Sequence, residues 1–176
     1  MNRQFVSLFY LFVMVFPVLS VLNVEVRSQD RDVHSHPLVG TWRLVCDEDI
    51  DSLGHSAYPY GNPPLGFFVY DKSGNVFIQI STNPPLSRLA EDSVGTILPG
   101  ASSVQLRETL EKYVAYFGTY SVDTLKHLIT HHVISDIRRN YTGTDQVRPF
   151  SFSVDSLIIG DNKTWRRVLV RVTMKR

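Results

Sequence analysis

The sequence predicts an all-β chain: an eight-stranded, up-and-down antiparallel barrel with one helix between its third and fourth strands, preceded by a signal peptide. Three observations lead there. Apolar and polar residues alternate through eight short segments, 38–48, 66–71, 75–81, 115–123, 127–136, 145–154, 156–160 and 164–174. Alternation of period two places successive side chains on opposite faces of a strand. Most of these segments follow one another across short turn-rich links, as in hairpins. Only the stretch after Gly100, ASSVQLRETLEKYV, changes to helical spacing. Closing such a sheet removes its exposed edges. Eight strands enclose a space just wide enough to be filled by side chains or to hold one small ligand.

The chain opens on one cation, Arg3, followed by the apolar run FVSLFYLFVMVFPVLSVL. Pro17 and the compact Val18-Leu19-Ser20 give residues 1–20 the form of a secretory signal peptide, cleaved after Ser20 or as late as after Ser28. An uncleaved anchor is the alternative for a run of this length. A flexible polar arm, 21–36, then leads into one barrel domain, 37–176. Its hydrophobic fraction of 43% and charged fraction of 20% are those of an ordinary globular protein. Loss of residues 1–20 lowers the formal charge from +1 to 0. A neutral domain without a dense Lys/Arg block offers nucleic acid no electrostatic footprint. The Arg138–Arg139 and Arg166–Arg167 pairs are expected in solvated turns and strand edges. The expectation is a secreted protein, periplasmic if bacterial, with no membrane partner after cleavage, existing as a monomer or weak homodimer. Asn140-Tyr-Thr and Asn162-Lys-Thr, both in turns, are glycan acceptors on a eukaryotic secretory route. Cys46 is the only cysteine, so no internal disulfide exists and the core alone must hold the fold. It reads as a small apolar residue of the first strand.

LVGTWRLVCDE puts Leu38, Gly40, Trp42 and Leu44 on one face of that strand. The link from Asp47 to Pro64 is broken by prolines and glycines. Its acidic cluster, Asp47, Glu48, Asp49 and Asp51, lacks an EF-hand's spacing and is expected to be solvated. GFFVYDKSGNVFIQIST forms a hairpin about Lys72-Ser73-Gly74-Asn75. In the helix, Val104, Leu106, Leu110, Tyr113 and Val114 make the apolar stripe, and Ser102 or Ser103 caps its start. Three strands between Tyr113 and Phe152 then interleave aromatic, histidine and arginine side chains. Tyr116, Gly118 and Tyr120 share a face, as do His127, Ile129, His131 and Val133, and as do Gln146, Arg148, Phe150 and Phe152.

Gly40-Thr41-Trp42 resembles the Gly-x-Trp opening of lipocalins, whose tryptophan plugs one barrel end. Further blocks resemble the lipocalin-like domain family related to AttH-type proteins, a calycin-type β-barrel. They are Gly66-Phe67-Phe68-Val69-Tyr70-Asp71-Lys72-Ser73-Gly74, Tyr116-Phe117-Gly118-Thr119-Tyr120, His131-His132-Val133 and Gly143 to Phe150, in the family's order. The resemblance implies a barrel with a cavity for a small, mostly apolar molecule, and structural roles for Gly40 and Trp42. Related barrels also serve as cyclases or isomerases. The last strand, TWRRVLVRVTMKR, departs from the usual ending, which leaves the pairing of Trp42 with an arginine there open.

Arg148 is the sharpest candidate, because a guanidinium on the same face as Phe150 must find a partner, either a barrel carboxylate or the polar end of a ligand. Tyr70, Tyr116, Tyr120 and Gln79 can add polar contacts, and His131 or His132 a hydrogen bond or a general base. His131 and His132 point to opposite faces, and His127 and His131 are about 13 Å apart on an extended strand. No metal is therefore expected, and no cofactor. Neither a nucleophile elbow nor a phosphate-cradling glycine loop is visible. The leading expectation is a non-covalent binder of a small hydrophobic molecule. The alternatives are a cyclase or isomerase using the same cavity, or an interaction module whose barrel is filled by side chains. N-terminal sequencing of the secreted protein should begin at Val21 or Gln29; an N-terminus retained at Met1 would indicate an anchor.

Overall fold

The computed structural model describes residues 36–86 and 102–173. The expected signal peptide, and all but the last residue of the arm, lie outside the described residues. Strands β1 (Gly40–Ile50), β2 (Ser56–Ala57), β3 (Leu65–Tyr70) and β4 (Asn75–Ser81) precede helix α1 (Ser103–Glu111). After it come β5 (Tyr113–Asp123), β6 (Leu128–Asp136), β7 (Asp145–Ser153), β8 (Ser156–Gly160) and β9 (Trp165–Arg171). Apart from the two-residue β2, which pairs only with the end of β1, the strands form one antiparallel circuit of eight. It runs β1-β3-β4-β5-β6-β7-β8-β9 and closes when β9 returns to β1. The expected barrel is present, with the helix where the change of period put it.

Alternation builds the wall. In β4, Val76, Ile78 and Ile80 are buried while Phe77 and Gln79 are exposed. In β5, Val114, Tyr116, Gly118 and Tyr120 are buried, and Phe117 is exposed. Helix α1 begins in a capping box: Ser102 Oγ accepts the Gln105 amide, and the Gln105 side chain accepts the Ser102 amide. No residue of the helix is buried. Its apolar stripe, Val104, Leu106 and Leu110, faces outward, so the helix lies on the barrel and adds nothing to its interior.

One end of the barrel is shut. Trp42 is 2% exposed, and its indole N–H donates to the Leu38 carbonyl at 2.7 Å. The Arg171 guanidinium covers the ring, 4.1 Å from its centroid, and donates to the carbonyls of Val39 and Pro37. This answers the question the unusual last strand left open: Arg171, opposite Trp42 across the β1–β9 seam, caps it. Gly40 is required here. Its φ is +143°, and a Cβ would stand 2.5 Å from Arg171 Nη1. Phe152 and Phe150 extend the plug, with ring centroids 6.0 Å from Trp42 and 5.7 Å from one another respectively.

The β1–β9 pairing slips by one residue between Leu44 and Cys46. Such a bulge reverses the alternation beyond it. Trp42 and Leu44 face inward before it, and Asp47 faces inward after it. The acidic stretch expected in a solvated loop is therefore strand: Asp47 and Glu48 are 0% and 4% exposed. Glu48 accepts from Ser56, Tyr58 and Arg166, and so ties β2 and β9 to β1. Trp42→Ala removes the plug and should cost about 3–5 kcal/mol of stability, readable by chemical denaturation.

Candidate functional site

Above the aromatic plug the barrel holds a cavity of about 280 Å³. Its floor is apolar: Phe68, Ile78, Ile80, Val114 and Ile159. Toward the far end the wall turns polar and aromatic, with Asp47, Tyr116, Tyr141, Arg148, Trp165 and Arg167, rimmed by Asp49, Tyr60 and Arg138. Each is placed by local structure. Tyr60 is fixed by its carbonyl, which accepts the Asn83 amide at 3.0 Å. Arg138 and Tyr141 come from the turn joining β6 to β7, where the Asp136 carboxylate accepts the Tyr141 amide at 3.3 Å. Arg148 comes from β7, its guanidinium carbon 5.6 Å from the Trp165 ring and 5.8 Å from that of Tyr141.

Arg167 occupies both acids. Its Nη1 donates to Asp49 Oδ1 and to the Glu48 carbonyl, each at 3.0 Å, and its Nε stands 2.8 Å from Asp47 Oδ2. That last approach is a charge contact without hydrogen-bond alignment, so neither Asp47 oxygen has a hydrogen-bond partner among the described residues. Burial pushes the Asp47 carboxyl up to about 6, against the pull of the Arg167 charge. Among the described residues no carboxylate lies within ion-pair distance of Arg138 or Arg148, and Arg138 Nε is buried without an acceptor. Among the described residues, then, Arg138 and Arg148 face the cavity without a carboxylate in ion-pair contact, Arg148 donating only to Gln146 Oε1 at 3.5 Å.

A hydrogen-bonded chain leads from the cavity wall into the barrel. Tyr116 Oη lies 2.8 Å from His131 Nδ1, and His131 Nε2 lies 2.9 Å from Tyr70 Oη. His131 and Tyr70 are fully buried. Desolvation, reinforced by the Arg148 charge, holds the imidazole neutral by lowering its pKa to about 3. A neutral imidazole donates through one nitrogen and accepts through the other. Among the described residues Tyr70 Oη has no further hydrogen-bond partner, and an orphaned buried hydroxyl proton is costly. Its proton is satisfied if it goes to Nε2. The imidazole proton then sits on Nδ1 and is donated to Tyr116. The Tyr116 hydroxyl proton is thereby turned away from His131, toward the cavity. Burial raises this phenol to about 12, with Arg148 acting in the opposite sense, so it stays a proton donor at neutral pH.

Of the residues singled out in the sequence, Arg148 and Tyr116 line this cavity, with His131 and Tyr70 directly behind Tyr116. Tyr120 is buried beside Tyr70, and its hydroxyl is spent on the Asp71 carbonyl at 2.9 Å. Phe150 faces inward but belongs to the plug, among His36, His127 and Phe152. Gln79, expected among the polar contacts, instead shares the outer face with Phe77; of the alternatives His131 and His132, it is His132 that lies on the outer wall, bonded to Ser121 and Asp145. Asn140 and Asn162 are exposed in turns. Arg138 and Arg167, expected in solvent, line the cavity, as do Asp47, Tyr60, Tyr141 and Trp165. The β9 alternation could have revealed Arg167, which shares a face with Trp165 and Leu169; the bulge conceals Asp47. From the link 47–64, Pro59 and Tyr60 reach the cavity, whereas no residue of α1 lines it.

A family profile described as a lipocalin-like domain matches residues 39–170. No curated protein matches the chain.

Two buried groups that titrate in the acid range, His131 and Asp47, have opposite effects on stability. Unfolded His131 protonates near 6.5 but folded His131 only near 3, so its burial costs stability as pH falls through that window. Folded Asp47 keeps its proton up to about 6 against 3.8 unfolded, so acidification across that range stabilises the fold. Asp47→Asn removes only the second effect. Relative to wild type, it should lose up to about 1.4 kcal/mol per pH unit between pH 6 and 4, measured by thermal melting.

Proposed function

Because the chain belongs to the lipocalin-like domain family, we propose that its barrel binds a small, mostly apolar molecule whose polar end is a hydrogen-bond acceptor or an anion. The observation that carries this is the pairing of Arg148, which has no carboxylate partner among the described residues, with the cavity-lining Tyr116 hydroxyl above an apolar floor. Burial of the ligand's apolar part supplies most of the affinity. Arg148 and Tyr116, with Arg138 at the rim, orient the acceptor, since hydrogen bonds to charged groups are the stronger kind. An interior of this sort, apolar with a few convergent polar groups, is what small-molecule sites present. The secretory reading of the N-terminus would place the ligand outside the cytoplasm.

Two fluorescent probes test it. 8-Anilinonaphthalene-1-sulfonate joins apolar rings to an anion, and N-phenyl-1-naphthylamine has the same rings without the sulfonate. Both should bind saturably. Arg148→Ala should weaken the sulfonate by at least about tenfold, roughly 1.4 kcal/mol, and leave the neutral probe unchanged. Ile80→Trp, which fills the floor, should abolish both. Undiminished binding of both probes to Ile80→Trp would place them on the outer surface and refute the proposal.

A further inference from the structure

A second cluster of chemistry-bearing side chains lies on the outer wall, apart from the cavity. Three neighbouring strands supply one residue each: Ser121 from β5, His132 from β6 and Asp145 from β7. Register brings them together. Asp145 stands directly opposite His132 on one side, and Thr119, two residues before Ser121, stands opposite it on the other. Asp145 Oδ1 is 2.7 Å from His132 Nδ1, and His132 Nε2 is 3.1 Å from Ser121 Oγ. A carboxylate only accepts, so the imidazole proton sits on Nδ1, and Nε2 is left to accept the Ser121 hydroxyl proton. Stability does not require this arrangement. Ser121 and Asp145 are exposed and the His132 side chain is 40% exposed, so water would satisfy all three, and exposed pairs add little to the fold. A backbone donor stands beside them. β4 begins at Asn75, opposite Thr119, and the Tyr120 amide donates to the Gly74 carbonyl at 2.8 Å. Strand amides alternate between the two edges, so the Val122 N–H points the same way, beyond β4. Among the described residues it meets no backbone acceptor there. This N–H follows the serine directly, on the side away from His132.

We propose that this outer-wall cluster hydrolyses esters, with Ser121 as the nucleophile and His132 as its general base. Asp145 is the positioning residue that keeps the imidazole proton on Nδ1. The roles are those of a Ser-His-Asp triad, which is recognised by geometry on any fold. The site stands apart from the cavity and does not depend on the binding reading. The substrate class is a small, uncharged ester with an unhindered carbonyl and a good leaving group such as a phenolate. Ser121 is open to solvent, so such a carbonyl reaches it directly. The outer face beside it carries Thr119, Thr130 and the exposed Val147, and Asp123, the next outer residue of β5, is paired with Lys126 at 3.3 Å. Ser121 Oγ attacks the carbonyl carbon as its proton passes to His132 Nε2, and the carbonyl π pair moves onto oxygen. The Val122 N–H meets that charge. The oxygen pair then re-forms the carbonyl and the leaving oxygen departs with the C–O pair, taking the proton from Nε2 and leaving an acyl-serine. Water repeats the sequence. It gives one proton to Nε2 and bonds the acyl carbon; Ser121 Oγ leaves with its bonding pair and recovers the proton. One ester and one water give one acid and one alcohol, and the protein is restored.

Two probes test it on the full chain. Diisopropyl fluorophosphate traps an activated serine, and peptide mass spectrometry locates the adduct. 4-Nitrophenyl acetate reports turnover through the release of nitrophenolate. Wild type should carry one diisopropylphosphoryl group, on Ser121, and should release nitrophenolate at least about tenfold faster than Ser121→Ala. His132→Gln should lose both the adduct and the turnover. Asp145→Asn should lower kcat at least about tenfold and leave KM unchanged, which a merely structural role would not produce. Ser151→Ala, exposed on β7, should match wild type. The labelling of wild type needs no variant, so a substitution that fails to fold leaves the test intact. Ser121 without an adduct in wild type overturns the proposal. So does nitrophenolate release that Ser121→Ala leaves at the wild-type rate, because the His132 imidazole would then be acting alone. Neither result touches the binding reading, which the two fluorescent probes decide.

Discussion

The register slip between Leu44 and Cys46 is the constraint on which the rest of the molecule turns. Strand β1 must close the barrel against β9 and also serve two different environments. Before the slip it contributes Trp42 and Leu44 to an apolar plug; after it, Asp47 to a polar wall. An uninterrupted strand would have placed Cys46 and Glu48 inside and left Asp47 in solvent. The slip therefore sets the sign and basicity of the cavity as well as the closure of the sheet.

The barrel is filled only in part. Trp42, Phe150 and Phe152 shut one end, and Tyr70, Tyr120 and His131 occupy the layer above them. What remains open is the half nearer the β6–β7 turn. This division explains why a polar network can be buried so deep. Neutral His131 with a tyrosine at each nitrogen is fully satisfied, so it is rigid and orients Tyr116 without carrying charge. The charged groups are confined to the open half, where Arg167 neutralises the acids and leaves Arg138 and Arg148 to face the cavity.

Much of this was legible in the residues. Period-two alternation set out the eight barrel strands, put Arg148 and Tyr116 among the inward candidates and left one of His131 and His132 to face in, and the change to helical spacing located α1. The same rule, applied strictly, turns Gln79 and His132 outward. The rest was hidden for identifiable reasons. A bulge leaves no mark in composition, so Asp47 read as one acid among several in a loop. Arg138 and Tyr141 sit in a turn, where no period applies, held by the Asp136 carboxylate and by backbone bonds such as Gly143 N–H to the Val133 carbonyl. Arg167 was masked by Arg166 beside it, although its face is shared with Trp165 and Leu169.

The central claim is that the open half of the barrel is occupied by a small molecule when the protein does its work. The most direct measurement is native mass spectrometry of the protein purified without organic solvent, wild type beside Ile80→Trp. Wild type should carry an additional small-molecule mass that is lost on activation and missing from the filled variant. The same bare polypeptide mass for both proteins, unchanged after incubation with the apolar extract of the expression medium, would contradict it.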